Sequence, residues 1–247
     1  MSGLKKPIQL FIFDLGSTLI YEKEPWDAFF PRADQALWKT LFAAGVTLPP
    51  QELFEDYPGM FALYYERHRG DLNEPTTVGV LDDLLRSKGF QLSKDSLLAA
   101  MRAMFAVTQE NWLPEHDAIL TLEGLKRRGL RIGLISNASD DDNTQALIDK
   151  GGFRPYLEYI VSSAAFGKRK PHPDIFRSVL ERFAVPPEQA VMVGDDYEAD
   201  ILGASGVGMQ SIWITRRAHD PASRLDVSQA TKVVSTLSEV LPLVDNA

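Results

Sequence analysis

Asp14 closes an apolar run, residues 7–13, and a carboxylate held at the end of a buried strand can attack phosphorus and carry the phosphoryl group as an aspartyl phosphate. Ser136 and Asn137 follow a second run, residues 130–135, and offer a hydroxyl and an amide. Lys170 stands in a basic segment, residues 168–173, where Pro171 biases it toward extended backbone. Asp195, Asp196 and Asp200 follow a further run, residues 190–193. Neighbouring carboxylates repel unless a cation lies among them. Mg²⁺ suits such a place, because it takes one or two carboxylates and completes its shell with water and a substrate phosphate. Held by Asp14 and Asp195 it would neutralise charge, while Ser136 and Lys170 would bind the equatorial phosphoryl oxygens. Gly16-Ser17-Thr18 forms a turn suited to turning backbone amides toward an anion.

These residues are useful only if strands bring them together. The runs at 7–13, 130–135, 159–161, 190–193 and 210–214 are nearly continuous in apolar character, the pattern of strands buried on both faces. Helical periodicity lies between them, at 118–128, from Ser139 onward, at 174–183 and at 198–204. Alternating strands and helices predict an α/β fold, a doubly wound parallel sheet with right-handed crossovers. Ligands in such folds bind at the carboxyl ends of the strands, where the residues above fall. Residues 232–235 and 237–244 read as an edge strand and a closing helix.

One interval is too long for a crossover, that from Asp14 to Ser136. Residues 20–114 read as an insertion, with helices at 25–44, 51–69, 76–87 and 93–111 broken at Gly45, Pro49-Pro50, Gly70, Pro75 and Gly89. The predicted division is a core of residues 1–19 and 115–247 and a helical cap of residues 20–114. A cap inserted directly after a strand-end carboxylate would overhang the site as a lid.

The chain has 247 residues, a formal charge of −8 and no Cys. That excludes thiolate zinc sites, a redox pair and a Cys nucleophile. The acidic balance argues against a nucleic-acid or anionic-membrane partner. No run approaches the ~18 apolar residues of a membrane span, and the first apolar run is short for a signal peptide, so the expected location is cytoplasmic. His68, His116, His172 and His219 form no pair at metal-ligand spacing. Gly203–Gly208 is Gly-rich but follows a helix, which is not the setting of a dinucleotide fingerprint. No feature fixes an oligomeric state.

Four segments, residues 13–19 (FDLGSTL), 134–139 (LISNAS), 167–176 (GKRKPHPDIF) and 193–209 (VGDDYEADILGASGVGM), come in an order that resembles the haloacid dehalogenase-like hydrolase superfamily. The insertion is similar to that of members with a helical cap between the first two motifs. The resemblance implies a Rossmann-like core, Asp14 as nucleophile, Ser136 as the phosphate-binding hydroxyl with Asn137 beside it, and Lys170 as the basic residue. It implies Asp195 as a metal ligand, Asp200 as the last acidic position, and Asp196 as an additional candidate ligand. Phosphatases of the family carry a second Asp two residues after the nucleophile. Its carboxyl is general acid for the leaving alcohol and then base for water, and its backbone carbonyl binds the metal. Here that residue is Gly16, which keeps the carbonyl and loses the carboxyl.

Loss of general acid–base help typically costs 10²–10⁴ in rate, which favours leaving groups that need no protonation, such as acyl phosphates, phenols or the anomeric oxygen of a sugar 1-phosphate. Glu22, Glu24 and His68 are the nearest candidates for a substitute. The expected function is a Mg²⁺-dependent phosphatase of small phosphorylated metabolites. The rivals are a 2-haloacid dehalogenase, which also lacks the second Asp, the phosphonate-cleaving branch with Lys23 or Lys39 as Schiff-base residue, and a non-catalytic binding module.

Overall fold

In the computed structural model of the chain, residues 4, 7–218 and 227–245 are described. Strand β1 (Leu10–Phe13) lies at the centre of a six-stranded parallel sheet. Its side chains alternate between two cores. Phe11 and Phe13 face one, with Leu122 and Leu147, and Leu10 and Ile12 face the other, with Phe176 and Val179. This two-sided burial is why the strand reads as an unbroken apolar run. Each such side chain contributes about 1.5–3 kcal/mol on leaving water.

A two-stranded antiparallel ribbon comes next, β2 (Ile20–Glu22) paired with β3 (Trp112–Pro114). The segment predicted as a helical insertion is therefore entered and left through strands. Between them lie α1 (Phe30–Ala43), α2 (Pro50–Arg67), α3 (Thr77–Ser87) and α4 (Lys94–Thr108). They share an apolar core of their own that includes Leu37, Leu41, Leu53, Leu81 and Met101. Thr76 and Ser93 cap α3 and α4 by accepting the Gly79 and Ser96 amides. The expected helix at 93–111 ends three residues early, in a 3-10 turn at Gln109–Asn111.

After the ribbon the chain alternates as expected: α5 (Ala118–Arg127), β4 (Arg131–Ser136), α6 (Asp141–Lys150), β5 (Tyr159–Ser162), a short α7 (Ser163–Phe166), α8 (Pro173–Phe183) and β6 (Ala190–Gly194). The segment expected as a helix at 198–204 is a π-helical turn over Tyr197–Leu202, followed by α9 (Gly203–Gly206). Then come β7 (Gln210–Ile214), β8 (Lys232–Val234) and α10 (Val240–Asp245). The order across the sheet is β5-β4-β1-β6-β7-β8. The chain steps outward from β1 to β4 and β5, then returns to the other side of β1 at β6. That reversal opens a crevice at the carboxyl ends of β1, β4 and β6. Among the described residues, no helix is long and apolar enough to cross a membrane.

Candidate active site

Asp14 follows β1 directly, and its N–H donates to the Val193 carbonyl at 2.9 Å, tying it to β6. The chain then turns sharply: the Leu15 carbonyl accepts the N–H groups of Leu19 and Ile20 at 2.9 and 3.0 Å. Ser17 sits in the left-handed region at φ 57°. A non-glycine residue there is strained, and such strain gathers at working sites.

Lys170 reaches Asp14 from the loop after α7. Its Nζ is 2.6 Å from Asp14 Oδ1, 2.6 Å from Asp200 Oδ1 and 3.0 Å from the Ile135 carbonyl. All three donor positions of the ammonium are thus used, and only 3% of the residue is exposed. Burial acts to lower the Lys170 pKa, but the carboxylates of Asp14 and Asp200 outweigh it and hold the group charged. Asn137 fixes this loop, since its Oδ1 accepts the Lys170 N–H at 2.8 Å and its Nδ2 donates to the Lys170 carbonyl at 3.0 Å. Ser136, at the end of β4, is buried and lines the same cavity.

Asp200 is fully buried on the π-helical turn. Its second oxygen accepts the Asp196 N–H at 3.1 Å, so both oxygens are engaged. A Cβ on Gly194 would lie 2.1 Å from that oxygen, so only glycine lets the carboxylate pack against the end of β6. Asp195 receives a hydrogen bond from Thr18 Oγ1 at 3.2 Å, and its backbone carbonyl accepts the Trp213 indole N–H at 2.7 Å.

Carboxylate oxygens of Asp14, Asp195 and Asp200 all lie within 4.8 Å of one another. With Lys170 as the cation paired to two of them, two negative charges are left uncompensated in a buried place. Burying charge without compensation costs several kcal/mol per ion. The strain shows at Asp195, whose carboxyl is pushed up to about 8 by burial first and by Asp14 and Asp200 next. Burial also pushes Asp200 up, against the pull of Lys170. An all-carboxylate donor set that lacks two positive charges suits a divalent oxygen-seeking cation.

Asp196, expected as an additional ligand, lines the same cavity. Its carboxylate caps the π-helical turn, with Oδ1 accepting the Ala199 N–H at 2.8 Å, and it is not among the three clustered carboxylates. Gly16 lines the cavity as expected. The candidate substitutes for the missing acid do not. Glu22 and Glu24 border a separate hollow near Arg217, and His68 pairs with Asp71 at 3.0 Å. Lys23 pairs with Glu24, and Lys39 lies exposed on α1. His219 lies outside the described residues.

The cavity over Asp14 measures about 320 Å³. From the inserted segment only Ile20 and Trp112 line it, both on the ribbon. Trp112 and Leu147 were not singled out in the sequence. Thr18 was named only for its backbone in the turn after Asp14, and its hydroxyl bond to Asp195 is an addition. Trp112 is remote in sequence, and only the β2–β3 pairing carries it here. The helices of the insertion are instead anchored beside the site. Thr77 N–H donates to the Ser139 carbonyl, Thr77 Oγ1 to Asp140, and Arg169 to the Asn73 carbonyl.

A haloacid dehalogenase-like hydrolase family model matches residues 8–208. The chain is 32% identical over 134 residues to the haloacid dehalogenase-like hydrolase domain-containing protein 3 of Mus musculus, a match covering 54% of this chain and 53% of that protein. The chain thus spans about half the length of that relative. It is 29% identical over 243 residues to the glyceraldehyde 3-phosphate phosphatase of Methanothermobacter thermautotrophicus, covering 95% of this chain and 100% of that one. Among solved structures, a 2-haloacid dehalogenase from Pseudomonas syringae shares the fold with a TM-score of 0.68 at 23% identity, covering 97% and 99% of the two chains.

Proposed function

The chain belongs to the haloacid dehalogenase-like hydrolase family, and from that premise we propose that it is a Mg²⁺-dependent phosphatase of small phosphorylated molecules, with Asp14 as nucleophile. One observation carries the reading: the buried set of Asp14, Asp195, Asp200 and Lys170 is two positive charges short. Asp14, Asp195 and the Gly16 carbonyl would hold Mg²⁺, which when bound supplies charge neutralisation for a phosphoryl group beside Asp14. A metal-free site with this charge would repel the carboxylate of a haloacid, which counts against dehalogenation. The relative named as a glyceraldehyde 3-phosphate phosphatase, aligned along its full length, supports a phosphoric ester as substrate.

The chain's own residues then act as follows. Lys170 orients Asp14 through one carboxylate oxygen and leaves the other to attack. The bond from Asp14 to phosphorus forms as the bond from phosphorus to the leaving oxygen breaks, and the leaving group departs with the electron pair. Ser136 donates to a phosphoryl oxygen, and Lys170, its three N–H groups engaged, acts on the developing charge through its field. Water then attacks phosphorus, its proton passing to the phosphate, and Asp14 leaves as carboxylate. Asn137 positions Lys170 through its main chain. Asp200 holds Lys170 from the far side, and Asp196 keeps the turn that carries Asp200. The helices of residues 20–114, a separate cap in this proposal, would close over the cavity as a lid, with the β2–β3 ribbon as its stem.

The test is phosphate release from aryl, acyl and alkyl phosphates with Mg²⁺ and with EDTA, run beside halide release from a 2-haloacid. Mg²⁺-dependent phosphate release supports the proposal. Metal-independent halide release would replace it with dehalogenation, and silence on both with a binding role.

A further inference from the structure

Resting on the phosphatase reading, we infer that Trp112 selects the leaving group, and that the substrate is a phosphate whose leaving group is flat and apolar, held edge or face against the indole. A general acid must lie within hydrogen-bond reach of the leaving oxygen. The family resemblance puts that acid at the position of Gly16, so the space beside Gly16 is taken here as where the leaving group emerges. A Cβ built on Gly16 would meet one atom there within 4 Å, Cη2 of Trp112, at 3.8 Å. The leaving group thus meets the apolar benzo edge of an indole where the resemblance puts a carboxyl.

The indole is placed there by the ribbon. Register pairs Glu22 with Trp112 and Ile20 with Pro114, so Ile20 and Trp112 share one face, and both line the cavity. Asn111, fully buried, fixes the strand end: its Oδ1 accepts the Glu24 N–H and its Nδ2 donates to the Glu24 carbonyl, both at 2.9 Å. Trp26 packs on Trp112 with centroids 5.5 Å apart and is itself stacked on Phe30 at 5.6 Å. Trp112 is therefore a braced wall rather than a loose surface ring. Leu15, Ile20 and Leu147 extend the apolar lining, in a cavity that also presents Ser17, Asn143 and Thr144. The benzo edge offers no hydrogen bond, so a hydroxyl set against it loses hydration uncompensated, whereas an aromatic or acyl body packs there at no such cost. It also matches the loss of the acid, since phenolates and carboxylates leave unprotonated.

The test measures binding without turnover. Phenylphosphonate and methylphosphonate are titrated by calorimetry, with Mg²⁺, into the wild type and into Trp112→Ala and Trp112→Phe. In the wild type, phenylphosphonate should bind about tenfold tighter than methylphosphonate. That ratio should fall to about unity in Trp112→Ala and to an intermediate value in Trp112→Phe, which also serves if the Ala variant fails to fold. A ratio unchanged by both substitutions, or near unity in the wild type, overturns the role of Trp112 and leaves the phosphatase reading standing. Binding of neither phosphonate to the wild type would instead bring down the phosphatase reading on which the inference rests.

Discussion

Asn137 and Lys170 exchange two hydrogen bonds, the amide oxygen accepting the Lys170 N–H at 2.8 Å and the amide nitrogen donating to the Lys170 carbonyl at 3.0 Å. The end of β4 and the loop after α7 are locked as one unit by a side chain that mimics a strand neighbour. Asn137→Ala should cost about 1–2 kcal/mol of stability. It should lower kcat about 10–100-fold with little change in KM, since the loss falls on the placement of Lys170. Thermal melts and phosphate-release kinetics check both; an unchanged kcat would remove the positioning role.

The approach of Gly194 to Asp200 gives a sharper expectation. A Cβ 2.1 Å from Asp200 Oδ2 cannot be accommodated, so Gly194→Ala must turn Asp200 away and strip Lys170 of one of its two carboxylates. Breaking a buried pair on one side costs about 3–5 kcal/mol. A melt should show a large drop, and turnover should fall with it. A variant with wild-type melting would mean that Asp200 is not held as described.

Stability should depend on pH through Asp195. Its carboxyl is raised from the ordinary 3.8 to about 8, by burial and then by Asp14 and Asp200, so the folded state holds a proton that the unfolded state has released over that window. The folded state therefore binds more protons than the unfolded one, and metal-free protein should lose stability as pH rises from about 5 to 8. Binding of Mg²⁺ requires the ionised carboxylate, so its stabilising effect should run the other way. The gain in Tm with Mg²⁺ should be about 3–10 °C at pH 8 and under ~2 °C at pH 5.5. Paired melts with Mg²⁺ and EDTA read this directly, and a larger gain at the lower pH would contradict it.

Gly16 itself needs no glycine. Its φ is not positive and a Cβ there finds only an ordinary contact with Trp112. Gly16→Asp should fold, and should raise the rate on alkyl phosphates relative to aryl phosphates by about 10–100-fold. The ratio of the two rates is the readout. No change in a folded variant would mean that another group already protonates the leaving oxygen.

Much of this was legible in the sequence for a physical reason. A strand buried on both faces must be apolar throughout, so β1, β4 and β6 announce themselves, and the polar residue that stops each run marks its carboxyl end. Asp14, Ser136 and Asp195 were found this way and Lys170 from its basic segment before Pro171, and the structure gathers all four around one cavity. Asp196 shares its sequence neighbourhood with Asp195 and lines the same cavity, but its Oδ1 is engaged in capping the next turn. Whether a carboxylate joins the cluster or caps the next turn depends on a one-residue rotation that spacing does not encode. The ribbon was missed because β2 and β3 are three residues each and lie far apart in the chain. Trp112 enters the site only through that pairing, so no local pattern could have brought it there.

The central claim is that Asp14 attacks phosphorus in a site that needs a divalent cation. The most direct measurement is phosphate release from an aryl phosphate by the wild type and by Asp14→Asn, each with Mg²⁺ and with EDTA. Turnover is expected in the wild type with Mg²⁺ alone, lost about a thousandfold or more in Asp14→Asn while the fold melts normally. Turnover that survives either the substitution or the chelator would contradict it.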